Sequence, residues 1–439
     1  MTVEINAFFE KYQGKWTSWR RQFHRSPEVG FCEYETSYRI AVYLESLGFE
    51  VFLGEDVMDR TERLGVPSTA ALLAAEERAH EAGVPQNVLE KMAGGMTGVV
   101  ARLKTNRPGS TYAYRFDIDA LPIQETDDVL HTPNKERFRS ELSGAMHACG
   151  HDGHATIGLA VALFLAEHQE GLAGEYRLIF QPAEEGARGA KAVVAKGWCD
   201  NVDYFMSGHI GIHDLQVGDI VACTTNFLAT TKIDVTYSGV SAHAGLAPNE
   251  GRNALLAAAH AVSALHGLPP HQEGATRLNV GTLQAGSGRN IIADAAFLQM
   301  ETRGVSQKTN TYMRERAIQT IKGMADAHGV DVELSIVGEG REGSCDSCFI
   351  EWVSQAVQSS PFRQNVIDSM EIGASEDVTY MIERVQAHGG KATYLLFGTP
   401  LAKGHHHPAF DWDEGVIPVA VDTIIRTTLH LNQFHESLS

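Results

Sequence analysis

Four short apolar runs in this chain each stop at a cluster of acidic or imidazole side chains, and that pattern limits the folds open to it. Residues 112–116 are followed by Asp117 and Asp119, residues 176–180 by Glu184 and Glu185, residues 204–207 by His209, and residues 393–397 by His405, His406 and His407. Runs of this length and composition read as buried strands. The segments between them have helical spacing, as in Ile157, Leu159, Val161 and Leu163 to Leu165, on a helix expected to open near His154. Strands alternating with helices imply an α/β fold with a mostly parallel central sheet. Ligands of such sheets gather at the carboxyl ends of the strands. Clusters far apart in sequence are therefore expected to meet at one sheet edge.

The chain has 439 residues, too many for one ordinary core. From about residue 226 the rhythm changes. Ile233, Val235 and Tyr237 alternate as in a half-buried strand, and Asn253 to His266 has the spacing of a helix. Leu278 with Val280, and then Ala296 to Thr302, read as strands. Met313, Ala317, Ile321 and Met324 form a helical stripe stopped by Gly329, and Val332, Leu334 and Ile336 make a last strand. The order β-α-β-β-α-β is that of a ferredoxin-like α+β domain. The expected organisation is a catalytic domain in two parts, 1–225 and 341–439, with 226–340 inserted between them. Within the first part, residues 56–95 are polar, Ala/Glu-rich and helical, and read as an insertion or lid rather than core.

The net charge of −19 argues against nucleic acid or an anionic membrane as partner, since both need basic patches. No apolar run approaches the roughly 20 residues of a membrane span. The first ten residues lack the basic start and apolar stretch of a signal peptide. The expected location is cytoplasmic, and the six scattered cysteines are expected to be reduced there. Cys345 and Cys348 have CxxC spacing, but no second pair completes a zinc site, so they read as incidental.

The densest motif is Met146-His147-Ala148-Cys149-Gly150-His151-Asp152-Gly153-His154. Zinc and related divalent ions take thiolate, imidazole and carboxylate ligands, and a catalytic site keeps one position open for water. An adjacent carboxylate can then orient that water and shuttle its proton. Glu184 and Glu185 suit a division of labour, because neighbours in extended chain point opposite ways. Cys149 and His151 are the candidate ligands of the motif. His147 and His154 read as support, and Asp152 has no assignable role. The alternative chemistry is a thiol hydrolase with Cys149 as nucleophile and His151 as base.

Several stretches together carry a family resemblance. They are Phe23-His24-Arg25-Ser26-Pro27-Glu28, Arg115-Phe116-Asp117-Ile118-Asp119-Ala120-Leu121-Pro122, the Cys149 motif, Gln181-Pro182-Ala183-Glu184-Glu185-Gly186, Ser241-Ala242-His243-Ala244-Gly245, Gly373-Ala374-Ser375-Glu376-Asp377 and His406-His407-Pro408. With these the chain resembles the M20 metallopeptidases, in the amidohydrolase branch of aminoacylases, hippurate hydrolases and auxin-conjugate hydrolases. The resemblance implies a zinc-peptidase-like catalytic domain with an inserted lid and dimerisation domain. It implies two divalent metal ions, Mn or Zn, with Cys149 bridging and His151, Glu185, His209 and His406 completing the ligand set. Glu184 is the implied general base, and Asp119 the residue orienting a ligating histidine. His243 is implied to reach a partner's site and polarise the scissile carbonyl, and Asn290 and Arg303 to bind the substrate carboxylate. The implied partner is a second copy or a related B subunit. The implied reaction is hydrolysis of an N-acyl amino acid, with p-aminobenzoyl-glutamate the specific expectation and a broader aminoacylase or dipeptidase the alternative.

Overall fold

A computed structural model describes residues 2–438. Its first six strands are β1 (Glu50–Phe52), β2 (Val99–Lys104), β3 (Thr111–Asp117), β4 (Glu175–Gln181), β5 (Tyr204–Ile210) and β6 (Asp219–Thr225). Four more follow, β7 (Ala229–Ser238), β8 (Thr276–Ala285), β9 (Ala295–Gly304) and β10 (Asp331–Gly340), and the chain then returns to β11 (Asn365–Glu371) and β12 (Lys391–Phe397). The larger sheet has the order β1-β2-β4-β3-β5-β12-β6-β11, and the smaller β10-β7-β9-β8.

Strands β3, β4, β5 and β12 are buried on both faces over most of their length. Their continuous apolar runs suit the centre of a sheet with helices on both sides. These four are consecutive, parallel neighbours. The whole sheet is mixed, because β1–β2, β2–β4 and β12–β6 pair antiparallel. A mostly parallel sheet therefore describes the centre, while on the flanks only β6–β11 is parallel. Strand β1 has three residues and β11 is half exposed, so neither carries a periodic signal in the sequence.

The helix His151–Glu167 is buried all round through Leu165, as expected of a helix inside a large core. It opens at His151, three residues earlier than the sequence spacing indicates, after Gly150 at φ 89°. It lies between the helices Thr2–Arg25 and Val416–Leu438. A side chain at Gly158 would sit 2.6 Å from the Phe116 and Phe180 rings. The absent Cβ is what lets this helix lie directly on β3 and β4, the strands that lead to the polar clusters.

In the smaller sheet every neighbouring pair is antiparallel. Ile233, Val235 and Tyr237 of β7 point into a core with Leu298, Met300, Ala257 and Ile321. Lys232 and Asp234 alternate to the other face. Two helices, Ala254–His266 and Gln307–His328, cover the apolar face. The second is closed by a Ser306/Thr309 capping box and stopped by Gly329 at φ 62°.

Segment 56–95 contains the helices Thr69–Glu81 and Gln86–Met92. Leu72, Ala75, Ala79, Leu89 and Met92 are buried in the same cluster as Phe31, Val100 and Ala183. The segment is thus packed onto the larger sheet through these side chains. Its apolar stripe is too sparse in Leu and Ile to reveal this from sequence. Among the described residues, no helix is long and apolar enough to cross a membrane.

Candidate metal centre

Because β4, β3, β5 and β12 run parallel side by side, their carboxyl ends share one edge. Strand β3 ends on Asp117, β4 runs into the Glu184-Glu185 turn, β5 carries His209 next to its last residue, and β12 leads to the loop of His405 and His406. The helix with His151 as its first residue starts at the same edge.

The Glu184-Glu185 turn has an uncommon backbone. Ala183 and Ala187 both adopt positive φ, 52° and 61°, around it. Such conformations persist when surrounding bonds over-determine them, and Asp119 supplies those bonds. Its Oδ1 accepts the Glu184 N–H at 3.0 Å and its Oδ2 the Glu185 N–H at 2.9 Å. The same residue faces Nδ1 of His151, 2.9 Å from its carbonyl oxygen and 3.3 Å from Oδ1. Nδ1 therefore donates, and Nε2 of His151 is buried and without a hydrogen-bond partner among the described residues.

The other imidazoles are set by the same logic. His209 donates Nδ1–H to the Ile210 carbonyl at 2.7 Å, and its Nε2 lies 3.5 Å from Cys149 Sγ. His405 donates Nε2–H to the Gly211 carbonyl at 2.9 Å, and its Nδ1 also lies 3.5 Å from Sγ. Cys149, His151 and His209 place donor atoms within 4.8 Å of one another, as do Cys149, Glu185 and His406, and again His151, Glu184 and Glu185. His406 Nε2 is 3.4 Å from Glu185 Oε1, within ion-pair reach but without hydrogen-bond geometry, so that buried oxygen has no hydrogen-bond partner among the described residues.

Electrostatics favours a cation here. Burial, and then the Glu185 carboxylate, push the Cys149 thiol up. Burial, and then Glu376, Asp377 and Glu185, push Glu184 well above the usual carboxylate range. Glu376, buried beside Glu184, rises to about 7 for the same first reason. A thiol and several carboxylates crowded out of water repel one another, and a divalent ion offsets that repulsion while it uses the open Nε2 and Oε1 atoms. The donor set fits a divalent metal.

Around this cluster lies a buried ion network that no sequence pattern indicates. Arg115 donates to Gln181 Oε1 at 2.8 Å, to Asp377 Oδ1 at 3.2 Å and to Asp117. Asp377 Oδ2 also accepts the N–H groups of Gly189 and Ala190, at 3.1 and 2.9 Å. Burial opposes charge on Asp117, but Arg115, His151 and His154 hold it well below the carboxylate range. His154 spends Nδ1–H on Asp117 and accepts the Ile210 N–H on Nε2 at 3.1 Å, so both its nitrogens are engaged. Asp152 has a role after all: it accepts from Arg20 Nε at 2.9 Å and from His24 Nδ1 at 2.8 Å, tying the first helix to the start of the helix that opens at His151. Each of these side chains lies within a stretch that carries the family resemblance, or in the first helix. Only their burial shows what they bind.

The residues expected to touch substrate are not gathered in one chain. His243 and Asn290 lie in adjoining loops, where the His243 and Ile291 backbones bridge and the Ala244 N–H meets the Asn290 carbonyl at 2.9 Å. These loops leave the end of the smaller sheet at which Ser238 pairs with Ala295. Arg303 is at the other end, opposite Thr230. Eight residues of strand separate the two ends, roughly 25 Å. Arg303 is also already forked onto Glu301, at 2.9 and 3.1 Å. Asn290 and Arg303 of one chain therefore lie at opposite ends of the smaller sheet.

A thiol, imidazole and carboxylate set at the carboxyl edge of an α/β sheet, with a second carboxylate beside it, is the donor set of a metal-dependent hydrolase. Residues 113–430 match peptidase family M20/M25/M40, and the chain belongs to that family. It is 46% identical to the A subunit of p-aminobenzoyl-glutamate hydrolase from Escherichia coli (strain K12), covering 97% of this chain and 98% of that protein. It is 44% identical to indole-3-acetyl-aspartic acid hydrolase of Enterobacter agglomerans, covering 97% and 98%. The crystal structure of an aminobenzoyl-glutamate utilization protein from Klebsiella pneumoniae superposes with a TM-score of 0.82 at 40% identity, covering 97% of each chain.

Proposed function

We propose that this enzyme hydrolyses the amide between an aromatic acyl group and an acidic amino acid, with p-aminobenzoyl-glutamate, giving p-aminobenzoate and glutamate, as its substrate. The observation that carries this reading is the near-equal, nearly full-length similarity to two hydrolases, one named for an aminobenzoyl-glutamate and one for an indoleacetyl-aspartate. Both names describe an aromatic acyl group on a dicarboxylic amino acid.

In this reading Cys149, His151, Glu185, His209 and His406 would hold two Mn or Zn ions, with Cys149 serving both. The shared place of Cys149 in two donor groups supports the bridging role. Bound metal supplies Lewis-acid charge for the scissile carbonyl and for lowering the pKa of water. Glu184 takes a proton from the attacking water and returns it to the leaving nitrogen, so the amine departs neutral. Asp119 holds the His151 tautomer and both N–H groups of the carboxylate turn. His243 donates a hydrogen bond to the carbonyl oxygen as charge develops there.

Residues 226–340 act as a ferredoxin-like lid and dimerisation domain between the catalytic parts 1–225 and 341–439. A second subunit, either another copy or a related B subunit, brings its own His243 and Asn290 to the site, while Arg303 is supplied by the chain that holds the metal. The wide separation of Arg303 from the other two supports that division. The enzyme works in the cytoplasm.

The test is a panel of aminobenzoyl-, indoleacetyl- and benzoyl-amino acids, each with defined Mn or Zn loading. The expected result is a clear preference for glutamate or aspartate over neutral amino acids. Equal rates across the panel would replace this reading with a broad aminoacylase.

A further inference from the structure

We propose that Arg277 forms a second anion subsite, which binds the side-chain carboxylate of the leaving amino acid and so sets the preference for acidic residues. The inference rests on the reading above that the substrate ends in a dicarboxylic amino acid.

Arg277 on β8 is the direct cross-strand partner of Arg303 on β9. Directly opposed residues of an antiparallel pair project from the same face, about 5 Å apart at Cβ. That face is the one not covered by helices, since Leu298, Met300 and Thr302, which alternate with Glu301 and Arg303, are the buried residues of β9. Two guanidinium groups side by side repel unless anions separate them. Glu301, two residues before Arg303 on the same face, takes Arg303 at Nε and Nη2. For Arg277 the described residues offer one hydrogen bond, from Nη1 to the Thr276 carbonyl at 2.9 Å, and no carboxylate. A local excess of positive charge in a chain of net charge −19 is therefore left facing a cavity.

Arg277, Glu301 and Arg303 line that cavity, of about 420 Å³, together with Leu228 and Gly373. The volume is ample for one amino acid. The cavity borders the reaction centre through its wall. Leu228 is hydrogen-bonded through its N–H to the Ala374 carbonyl at 3.0 Å, and Gly373 lies three residues before the buried Glu376. On β10, the opposite edge strand of the smaller sheet, the Glu339 N–H meets the Ala187 carbonyl at 2.9 Å, in the turn that follows Glu185. The smaller sheet is thus fastened to the turn that carries Glu184 and Glu185. A substrate with one carboxylate needs one arginine. A substrate with two, held against an arginine pair that has only Glu301 between them, gives each guanidinium an anion.

The experiment compares wild type with Arg277→Met and Arg277→Lys, on p-aminobenzoyl-glutamate and on its isosteric glutamine analogue. Loss of the subsite is expected to lower kcat/KM for the glutamate substrate by about tenfold or more, mainly through KM, and to leave the glutamine substrate unchanged. Arg277→Lys should retain part of the preference, because it keeps the charge without the fork. An unchanged glutamate-to-glutamine ratio in Arg277→Met, or an equal loss on both substrates, would overturn the subsite while leaving the amidohydrolase reading intact. A wild type that hydrolyses neither substrate would overturn both. Arg277 is exposed, so the variants fold, and a thermal midpoint equal to wild type verifies that.

Discussion

The carbonyl oxygen of Asp119 accepts Nδ1–H of His151 at 2.9 Å, while the carboxylate of Asp119 holds the N–H groups of Glu184 and Glu185. One residue thus orients the His151 ring, a candidate ligand, and fixes the backbone of the carboxylate turn. Asp119→Ala leaves the carbonyl in place and removes the two N–H acceptors. Metal affinity should fall by about 10–100-fold, as read by titration of the apoenzyme with Zn or Mn. Unchanged affinity would mean that the turn holds itself.

Glu184 has no hydrogen-bonded basic partner among the described residues to keep it charged, and lies at the edge of the ligand groups. Glu184→Gln should keep both the fold and the metal content and lower kcat by about 1,000-fold or more. Chelation should silence wild type, with activity restored on reloading. An enzyme indifferent to chelators would point to Cys149 as a nucleophile instead.

Arg115 is 1% exposed and depends on Asp117 and Asp377 for its charge. Asp377→Ala removes one of these anions and orphans the N–H groups of Gly189 and Ala190. Breaking a buried pair from one side costs about 3 kcal/mol, visible as a lower urea midpoint. A midpoint within error of wild type would show that water replaces the carboxylate.

Acid sensitivity should come from Glu125. Burial raises its pKa, but hydrogen bonds from His131 and His24 outweigh burial and hold it at about 2, against 4.5 for the free side chain. The unfolded chain therefore binds more protons than the folded one between these values. Stability from this group is present above pH 4.5 and is lost as pH falls toward 2. His24, flanked by Asp152 and Glu125, has its pKa raised despite burial, so its contribution is full below 6.5 and is lost as pH rises through its folded value. Glu125→Gln should flatten the fall in thermal midpoint between about pH 5 and 3. A slope identical to wild type would move the acid sensitivity elsewhere.

His243 and Glu184 should complement each other between subunits. His243→Ala and Glu184→Gln are each expected to be inactive alone. Coexpressed chains that mix at random in a homodimer should recover about a quarter of wild-type activity, because half the dimers contain one complete site of two. No recovery in purified mixed dimers would place His243 in its own chain's site.

Much of the site was legible because its residues follow strands. The apolar runs before Asp117, Glu184, His209 and His405 could be read directly, and parallel neighbours bring their ends to one edge. The tautomers of His151, His209 and His405, which decide where each lone pair points, depend on carbonyl groups of Asp119, Ile210 and Gly211. No local pattern announces them. Asp152 looked idle because its partner Arg20 is 132 residues away. His405, equally near Cys149 as His209 is, was indistinguishable from its two histidine neighbours until the loop was folded.

The sequence by itself determined the chemistry on offer, a thiol, imidazoles and paired carboxylates placed after strands, and the change of rhythm that separates the two sheets. Hydrophobic periodicity and ligand type are local properties, and a linear chain carries them. Tertiary structure alone decided which lone pairs are free, which acids are tied to Arg115 and Arg20, and that Arg303 lies at the far end of its sheet from His243 and Asn290. Those facts depend on burial and on strand direction, which exist only once distant segments have packed together.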